Sequence, residues 1–192
     1  MQKKHGFTLI EMLVVIIIIV VFLTMALPLY DKAVAEARSV QLQTLLRNAA
    51  DASKSYYMTH GKWPSSFDSL SIGMNLPTLP GSQNTCDNGN LFATSVKRGD
   101  GFELTLYNAT GRLQHNFISA HFTDGKYKCS GFVHYNYNGA GWGNLAPELK
   151  DKTFCAEYLY NRNCGEYNCK IFCDQVMGKK FKKYVQLINI FE

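Results

Sequence analysis

The feature that most constrains this chain is one long apolar run near its amino terminus. Residues 7–27 carry a single charged side chain, Glu11, and a run of roughly 20 apolar residues is long enough to cross a bilayer as a helix. Lys3 and Lys4 lie immediately before the run, which predicts that the amino end stays cytoplasmic and the rest faces outward. The sequence therefore predicts a membrane-spanning helix whose following residues fold outside the cytoplasm.

Glu11 lies inside this run and needs an explanation. A carboxylate in a membrane segment costs about 2.5–3.5 kcal/mol on insertion scales, less near an interface, and usually marks a function and a partner. An ordinary secretory signal is cut after its apolar segment, and Thr24-Met25-Ala26 offers only a mediocre site of that kind. A helix that is retained and assembles is favoured over a signal peptide and over a plain single-pass anchor.

The segment Gly6-Phe7-Thr8-Leu9-Ile10-Glu11, with the apolar run after it, resembles the amino terminus of a type IV pilin or a related type II secretion pseudopilin. Pro28 stands at the family's helix-kink position, and weaker similarity extends through Tyr56-Tyr57 and residues 61–67. The specific resemblance covers about the first third of the chain.

This resemblance implies that residues 1–6 are a leader, which a prepilin peptidase removes by cutting between Gly6 and Phe7. It implies that the new amine of Phe7 is methylated, and that Glu11 and Pro28 serve in filament assembly. Such an amine on an incoming subunit is a natural counter-ion for Glu11 of a neighbour. A buried ion pair adds little net stability but can fix register.

The helix is expected to continue beyond the membrane, over residues 7–58 in total. Pro28 removes one backbone hydrogen bond and should bend or loosen the helix there. A helix of this length would measure roughly 75 Å at about 1.5 Å per residue, which suits a filament core. Its second half has one apolar face, suited to packing against a sheet. The residues of that face are Leu42, Leu45, Leu46, Ala49, Ala52 and Tyr56.

Residues 59–192 are expected to form one extracytoplasmic globular domain. Gly61 should end the helix, and a turn-rich connection should lead to the first clear strands. Strands are predicted over residues 91–97, 102–107 and 112–122, and an Asp124-Gly125 hairpin should lead to another over 126–129. A short helix near 167–177 and a last strand over 184–191 should follow. The predicted fold class is α+β: a long helix packed against an antiparallel sheet with a disulfide-bounded carboxy-terminal region.

All six cysteines follow the predicted exit from the membrane, which favours disulfides formed in an oxidising compartment. Six cysteines allow 15 pairings, and spacing alone does not choose among them. A metal site is the alternative, but the clustered cysteines lack C-x-x-C pairs and no histidine lies nearby. The resemblance to pilins implies Cys155–Cys173 nested around Cys164–Cys169, together with Cys86–Cys129.

The chain carries 20 Lys and Arg against 15 Asp and Glu, and loss of Lys3 and Lys4 would leave 18 against 15, a net charge of +3. Lys179, Lys180, Lys182 and Lys183 form a local basic patch with two aromatic residues. Such a patch can bind a nucleic acid backbone or another anionic ligand. The favoured interpretation is a solvated segment that protects a sheet edge.

No pattern in the sequence indicates catalysis, a metal site or a cofactor, because the histidines are scattered and no phosphate-binding loop has strand–helix context. We therefore expect a structural subunit of a type IV pilus and not an enzyme. Its expected partners are other pilin copies, the prepilin peptidase and the inner-membrane assembly platform. It should reside in the inner membrane before assembly and at the cell surface afterwards. The alternatives are a secretion pseudopilin, or a minor pilin that binds DNA or a surface.

Overall fold

The computed structural model describes residues 8–86, 93–109, 115–138, 149–158, 171–185 and 188–192. The chain divides into two compact units, Met1–Arg38 and Ser39–Glu192. One helix, α1, spans Leu9–His60, so its residues belong to both units. The predicted α+β architecture is confirmed.

Helix α1 continues through Pro28, so the proline does not end it. The helix ends at His60, two residues beyond the expected end at Met58. Gly61 follows with a positive φ of 67°, and its N–H donates to the carbonyl of Tyr57 at 2.9 Å. This left-handed glycine is a common helix terminator because it lacks the Cβ that would clash there.

The described residues of the folded unit form one antiparallel sheet of eight strands in the order β1-β2-β3-β4-β5-β6-β8-β7. A π-helical turn, Ile171–Val176, precedes β7. The strands are β1 Thr78–Pro80, β2 Ala93–Arg98, β3 Phe102–Ala109, β4 His115–Phe122, β5 Ser130–Asn138, β6 Lys152–Tyr158, β7 Phe181–Val185 and β8 Ile188–Phe191.

Three predicted strands correspond to observed ones where the structure describes them. The strand predicted over residues 102–107 lies within β3, and those over 91–97 and 112–122 correspond to β2 and β4. The short helix predicted near 167–177 corresponds to the π-helical turn in its described part. Residues 91–92, 112–114 and 167–170 lie outside the described residues.

Two strand predictions are wrong. Residues 126–129 form a turn and not a strand, because the hairpin between β4 and β5 closes through positive φ angles at Gly125 and Cys129. The N–H of Cys129 donates to the carbonyl of Phe122 at 2.9 Å, which closes that loop. The single strand predicted over residues 184–191 is instead a hairpin, β7 and β8, in which Val185 pairs with Ile188.

The second half of α1 packs on one face of the sheet. Leu42, Leu46 and Ala49 are buried as expected, whereas Leu45, Ala52 and Tyr56 are half-buried. Beside the apolar residues, the Ser53 hydroxyl donates to the Asn116 side-chain oxygen at 3.4 Å. The side-chain amide of Asn136 donates to the same oxygen at 2.7 Å. These polar contacts fix the position of the helix on β4 and β5.

A second polar contact joins α1 to the sheet through Lys54, Asp151 and His134. Lys54 forms an ion pair with Asp151, whose carboxylate lies 3.6 Å from Nε2 of His134. Nδ1 of His134 lies 2.8 Å from the Thr153 hydroxyl. Burial, and next the charge of Lys54, lower the pKa of His134, so the neutral imidazole is favoured.

The opposite face of the sheet carries an aromatic cluster. Asn116 contacts α1, and the next residue along β4, Phe117, therefore points to the other face. Phe117 stacks on Tyr107 with ring centroids 4.3 Å apart, and both side chains are buried. Cys86, Val133, Tyr135, Leu149, Phe154 and Ala156 complete this cluster. The sheet is thus buried on both faces.

Gly131 allows β5 to approach β4 closely. A Cβ at this position would collide with the Ala120 carbonyl group and with Cα of His121. Because the obstacle is backbone, a methyl group cannot be accommodated by a rotamer change. The glycine is required by packing and not by its backbone angles.

We predict that Gly131→Ala destabilises the folded unit by about 1–3 kcal/mol, the usual cost of overpacking. Thermal unfolding of the full chain in detergent measures the change. Gly73→Ala is the matched control, because a Cβ at Gly73 meets no atom within 4 Å. Equal melting temperatures for both variants would contradict the close approach described above.

We also predict that stability falls as the pH drops below about 6.5, because the unfolded chain then takes up a proton that buried His134 resists. Urea unfolding midpoints at several pH values measure this dependence. His134→Gln should flatten it, whereas His60→Gln, at an exposed position, should leave it unchanged. An unchanged slope in His134→Gln would assign the dependence to another group.

Candidate functional site in the amino-terminal helix

The first half of α1 exposes apolar side chains on all sides. From Leu9 to Tyr30 the large apolar side chains are between 46% and 84% exposed. Among the described residues, α1 is the one helix long and apolar enough to cross a membrane, judged by length and composition. A surface this apolar must be covered by lipid or by other helices. The segment therefore fits membrane anchoring before assembly.

Thr8 and Glu11 form a capping box at the start of α1. The backbone N–H and the hydroxyl of Thr8 both donate to Oε2 of Glu11 at 2.7 Å. The N–H of Glu11 lies 3.3 Å from the Thr8 hydroxyl oxygen, and the Thr8 carbonyl accepts the first helical bond from Met12. Thr8 is thus the N-cap residue and Glu11 the third helical residue, which satisfies donors that a helix start leaves unpaired.

Sequence reasoning assigned Glu11 to assembly and missed Thr8. The spacing Thr-x-x-Glu immediately before an apolar run is itself the signature of a capping box, so the signal was present. In this arrangement the carboxylate of Glu11 points towards the amino-terminal end of the helix.

Of the other predicted processing and assembly residues, the structure describes Pro28, and it lies far from Glu11. Gly6 and Phe7 lie outside the described residues. Pro28 is 17 residues after Glu11 on the same helix, a separation of roughly 25 Å at about 1.5 Å per residue. The candidate site is therefore an extended surface of one helix and not a pocket.

Charged residues replace apolar ones directly after this segment. Asp31, Lys32, Glu36 and Arg38 are exposed, and Lys32 lies 4.0 Å from Glu36 one turn away. A surface pair of this kind adds little stability, but it marks the point where the helix becomes compatible with water.

Two of the three disulfide pairs implied by the resemblance are present. Cys86 is bonded to Cys129, and Cys155 is bonded to Cys173. Cys164 and Cys169 lie outside the described residues. The bonded cysteines are buried or nearly so, which fits a structural role.

The basic patch lies at the last hairpin. Lys179 and Lys180 are exposed, and Lys182 and Lys183 belong to β7, although their side chains lie outside the described part. In the described sheet β7 is an edge strand. That location agrees with the interpretation of lysines that protect a sheet edge. Within the described residues, no group of three or more His, Cys, Asp or Glu side chains is arranged to hold a metal ion.

Comparison with known proteins gives similarity to pilins. Residues 1–27 match the family model described as the prokaryotic N-terminal methylation motif. A type IV major pilin protein PilE1 of Neisseria gonorrhoeae is 31% identical over 104 residues, which cover 53% of this chain and 63% of that protein. A fimbrial protein of Neisseria meningitidis serogroup A is 37% identical over 69 residues, 36% of this chain and 41% of that protein.

A third relative, fimbrial protein EcpC of Eikenella corrodens, is 38% identical over 63 residues, 33% of this chain and 41% of that protein. All three alignments span less than two thirds of the relative's length. The chain carries a type IV prepilin amino-terminal motif, and its similarity is to structural pilus proteins.

Proposed function

We propose that this chain is a structural subunit of a type IV pilus. A prepilin peptidase removes residues 1–6, the amine of Phe7 is methylated, and the mature chain polymerises through α1 into a surface filament. The observation that carries the proposal is the uncovered apolar half of α1, in a chain that also bears the methylation motif. The other unit of the chain, Ser39–Glu192, is folded and contains both observed disulfides.

The uncovered apolar surface of α1 limits the environments in which the chain is stable. Before assembly, lipid covers the apolar side chains of residues 9–30. After extraction only other apolar helices can replace the lipid, because exposure of so much apolar area to water is unfavourable. A contact between one helix and different positions on its neighbours is heterologous, and it propagates as a fibre when the rotation between subunits does not close a ring.

Glu11 would set the register of that fibre. Its carboxylate accepts two hydrogen bonds from Thr8, and both lie at the amino-terminal end of α1. An amine from a neighbouring subunit would supply the opposite charge that an acid in an apolar medium requires. A subunit placed out of register would leave both charges unpaired.

Topology and partners follow from the same features. Lys3 and Lys4 hold the amino end in the cytoplasm, and the disulfide-bonded unit lies outside the inner membrane, in an oxidising compartment. An assembly platform in that membrane then receives the processed subunit. Pro28 would allow local adjustment of the packed helices, since proline removes one hydrogen bond from the helix.

Mass spectrometry of the mature protein tests the processing step. We expect a chain that begins at Phe7, with one methyl group on its amine. The same gene expressed in a host without prepilin peptidase should retain residues 1–6. A mature chain that begins downstream of Ala26 would refute the proposal, because the apolar helix would then be absent.

Substitution of Glu11 tests assembly. We expect Glu11→Ala to be processed normally but to be lost from sheared filaments by at least about tenfold, the effect of roughly 1.4 kcal/mol per contact. Glu11→Gln separates the two roles of this side chain, because glutamine can also serve in a capping box but carries no charge. Quantitative immunoblotting of filament and membrane fractions measures both.

The control is Glu36→Ala, which removes an exposed carboxylate of α1 beyond the apolar segment. It should enter filaments as the unaltered chain does. If Glu11→Gln assembled normally while Glu11→Ala did not, the helix cap and not the charge would control assembly. Normal assembly of both Glu11 variants would remove Glu11 from the mechanism.

A further inference from the structure

Residues 81–86, here called the strap, lie across the sheet face that carries the aromatic cluster. The strap begins with a 3₁₀ turn at Gly81–Gln83, where a Cβ on Gly81 would collide with the backbone of Ala93. It ends at Cys86, which is buried in the cluster together with Tyr107 and Phe117. The strap is therefore part of the cover over this face.

One carboxylate holds the strap at Thr85, the residue before Cys86. Oε1 of Glu103 accepts from the N–H of Thr85 at 2.6 Å, and Oε2 accepts from the Thr85 hydroxyl at 2.8 Å. Glu103 lies on β3, and its side chain is fully buried. The side-chain amide of Asn84 adds hydrogen bonds to the hydroxyls of Thr105 and Tyr107.

Glu103 is itself stabilised as an anion by two charged or chargeable groups of the sheet. Nε2 of His121 lies 2.9 Å from Oε1, and Nη2 of Arg98 lies 3.0 Å from Oε2. Arg98 also donates from Nη2 to the carbonyl of Gln83, which ties it to the strap directly. Burial alone would raise the pKa of Glu103, but the contacts with His121 and Thr85 outweigh it and lower the pKa to about 2.

The second attachment is covalent. The Cys86–Cys129 bond joins the end of the strap to the loop between β4 and β5. It holds a different point of the strap from the one that Glu103 holds, and it does not depend on the ionisation of any carboxylate. The disulfide and the contacts between Glu103 and Thr85 involve different residues.

We propose that two of the attachments of the strap act as independent locks, the Cys86–Cys129 disulfide and the contacts of Thr85 with the Glu103 carboxylate, and that the strap leaves the sheet only when reduction and acid act together. A dithiol reductant opens the first lock: it delivers two electrons and two protons, the disulfide becomes two thiols, and the reductant becomes a disulfide. Protonation of Glu103 opens the second lock, because a carboxylic acid accepts hydrogen bonds less strongly than a carboxylate. Release would uncover Tyr107 and Phe117.

The direction of the acid effect is fixed by the environment of Glu103. A carboxylate with a depressed pKa stabilises the closed strap above the ordinary pKa near 4.5, and that stabilisation is lost as the pH falls towards about 2. Without the disulfide, the open strap should gain in population between pH 7 and pH 3, by at most roughly thirtyfold. That limit would require Glu103 to regain its ordinary pKa, and the gain stays below it because His121 and Arg98 remain beside Glu103 on the sheet. With the disulfide intact, the strap should stay closed at both values.

Hydrogen exchange of the full chain in detergent tests this inference, with rates corrected for the intrinsic effect of pH. In Cys86→Ser/Cys129→Ser, the amides of residues 81–86 should stay protected at pH 7 and exchange severalfold faster at pH 3, with roughly thirtyfold as the upper limit. Adding Glu103→Gln to that pair should speed their exchange at pH 7, and an aromatic-surface dye should then bind. The amides of Ile118 and Val133 report whether the sheet itself stays folded.

The matched control is Cys155→Ser/Cys173→Ser, which removes the other observed disulfide and leaves both locks in place. Its strap should stay protected at both pH values. Full exchange of the strap at pH 7 in Cys86→Ser/Cys129→Ser would make the disulfide the only lock. An absence of acid response in that variant would remove Glu103 from the device, and release in the control variant would indicate general loosening. Each of these outcomes overturns the proposal.

Discussion

The apolar half of α1 has no cover within the described chain, and most other features are consistent with that constraint. A helix that is apolar on all sides is stable in lipid or among similar helices but not in water. The chain places charges immediately beyond this segment, at Asp31, Lys32, Glu36 and Arg38. It then changes to an amphipathic pattern in which Leu42, Leu46 and Ala49 are buried on the sheet. The first half of α1 therefore suits an apolar environment, and the second half suits the boundary between the sheet and water.

The amphipathic part of α1 is attached to the sheet by more than apolar packing. Ser53 contacts Asn116, and Lys54 pairs with Asp151 beside His134. Polar contacts of this kind add little net stability but penalise a shift of the helix along the sheet, since a shift leaves polar atoms without their partners.

Sequence reasoning succeeded where one local signal decided the outcome. The apolar run predicts the long helix, Gly61 predicts its end, and the alternation of residues predicts β3. Each of these signals is a periodic pattern or a single residue type. It failed where the structure depends on contacts between residues that are far apart in the sequence. The alternation of β3 does not reveal that the strap and the aromatic cluster cover the face that carries Glu103. The sequence predicts one strand where the structure has the hairpin of β7 and β8, because no Gly, Asn or Asp occurs between Val185 and Ile188 to signal a turn.

Glu103 and Glu11 show how the same functional group is used in two ways. Glu103 is buried, but Thr85, His121 and Arg98 of the same chain supply hydrogen-bond donors and positive charge. Its buried negative charge is therefore stabilised within the fold. Within the described residues the hydrogen bonds of Glu11 come from Thr8, which supplies donors but no charge. The surroundings of Glu11 are apolar side chains that lipid or another helix must cover. In the assembly that we propose, the compensation that the fold provides internally for Glu103 comes to Glu11 from the amine of a neighbouring subunit.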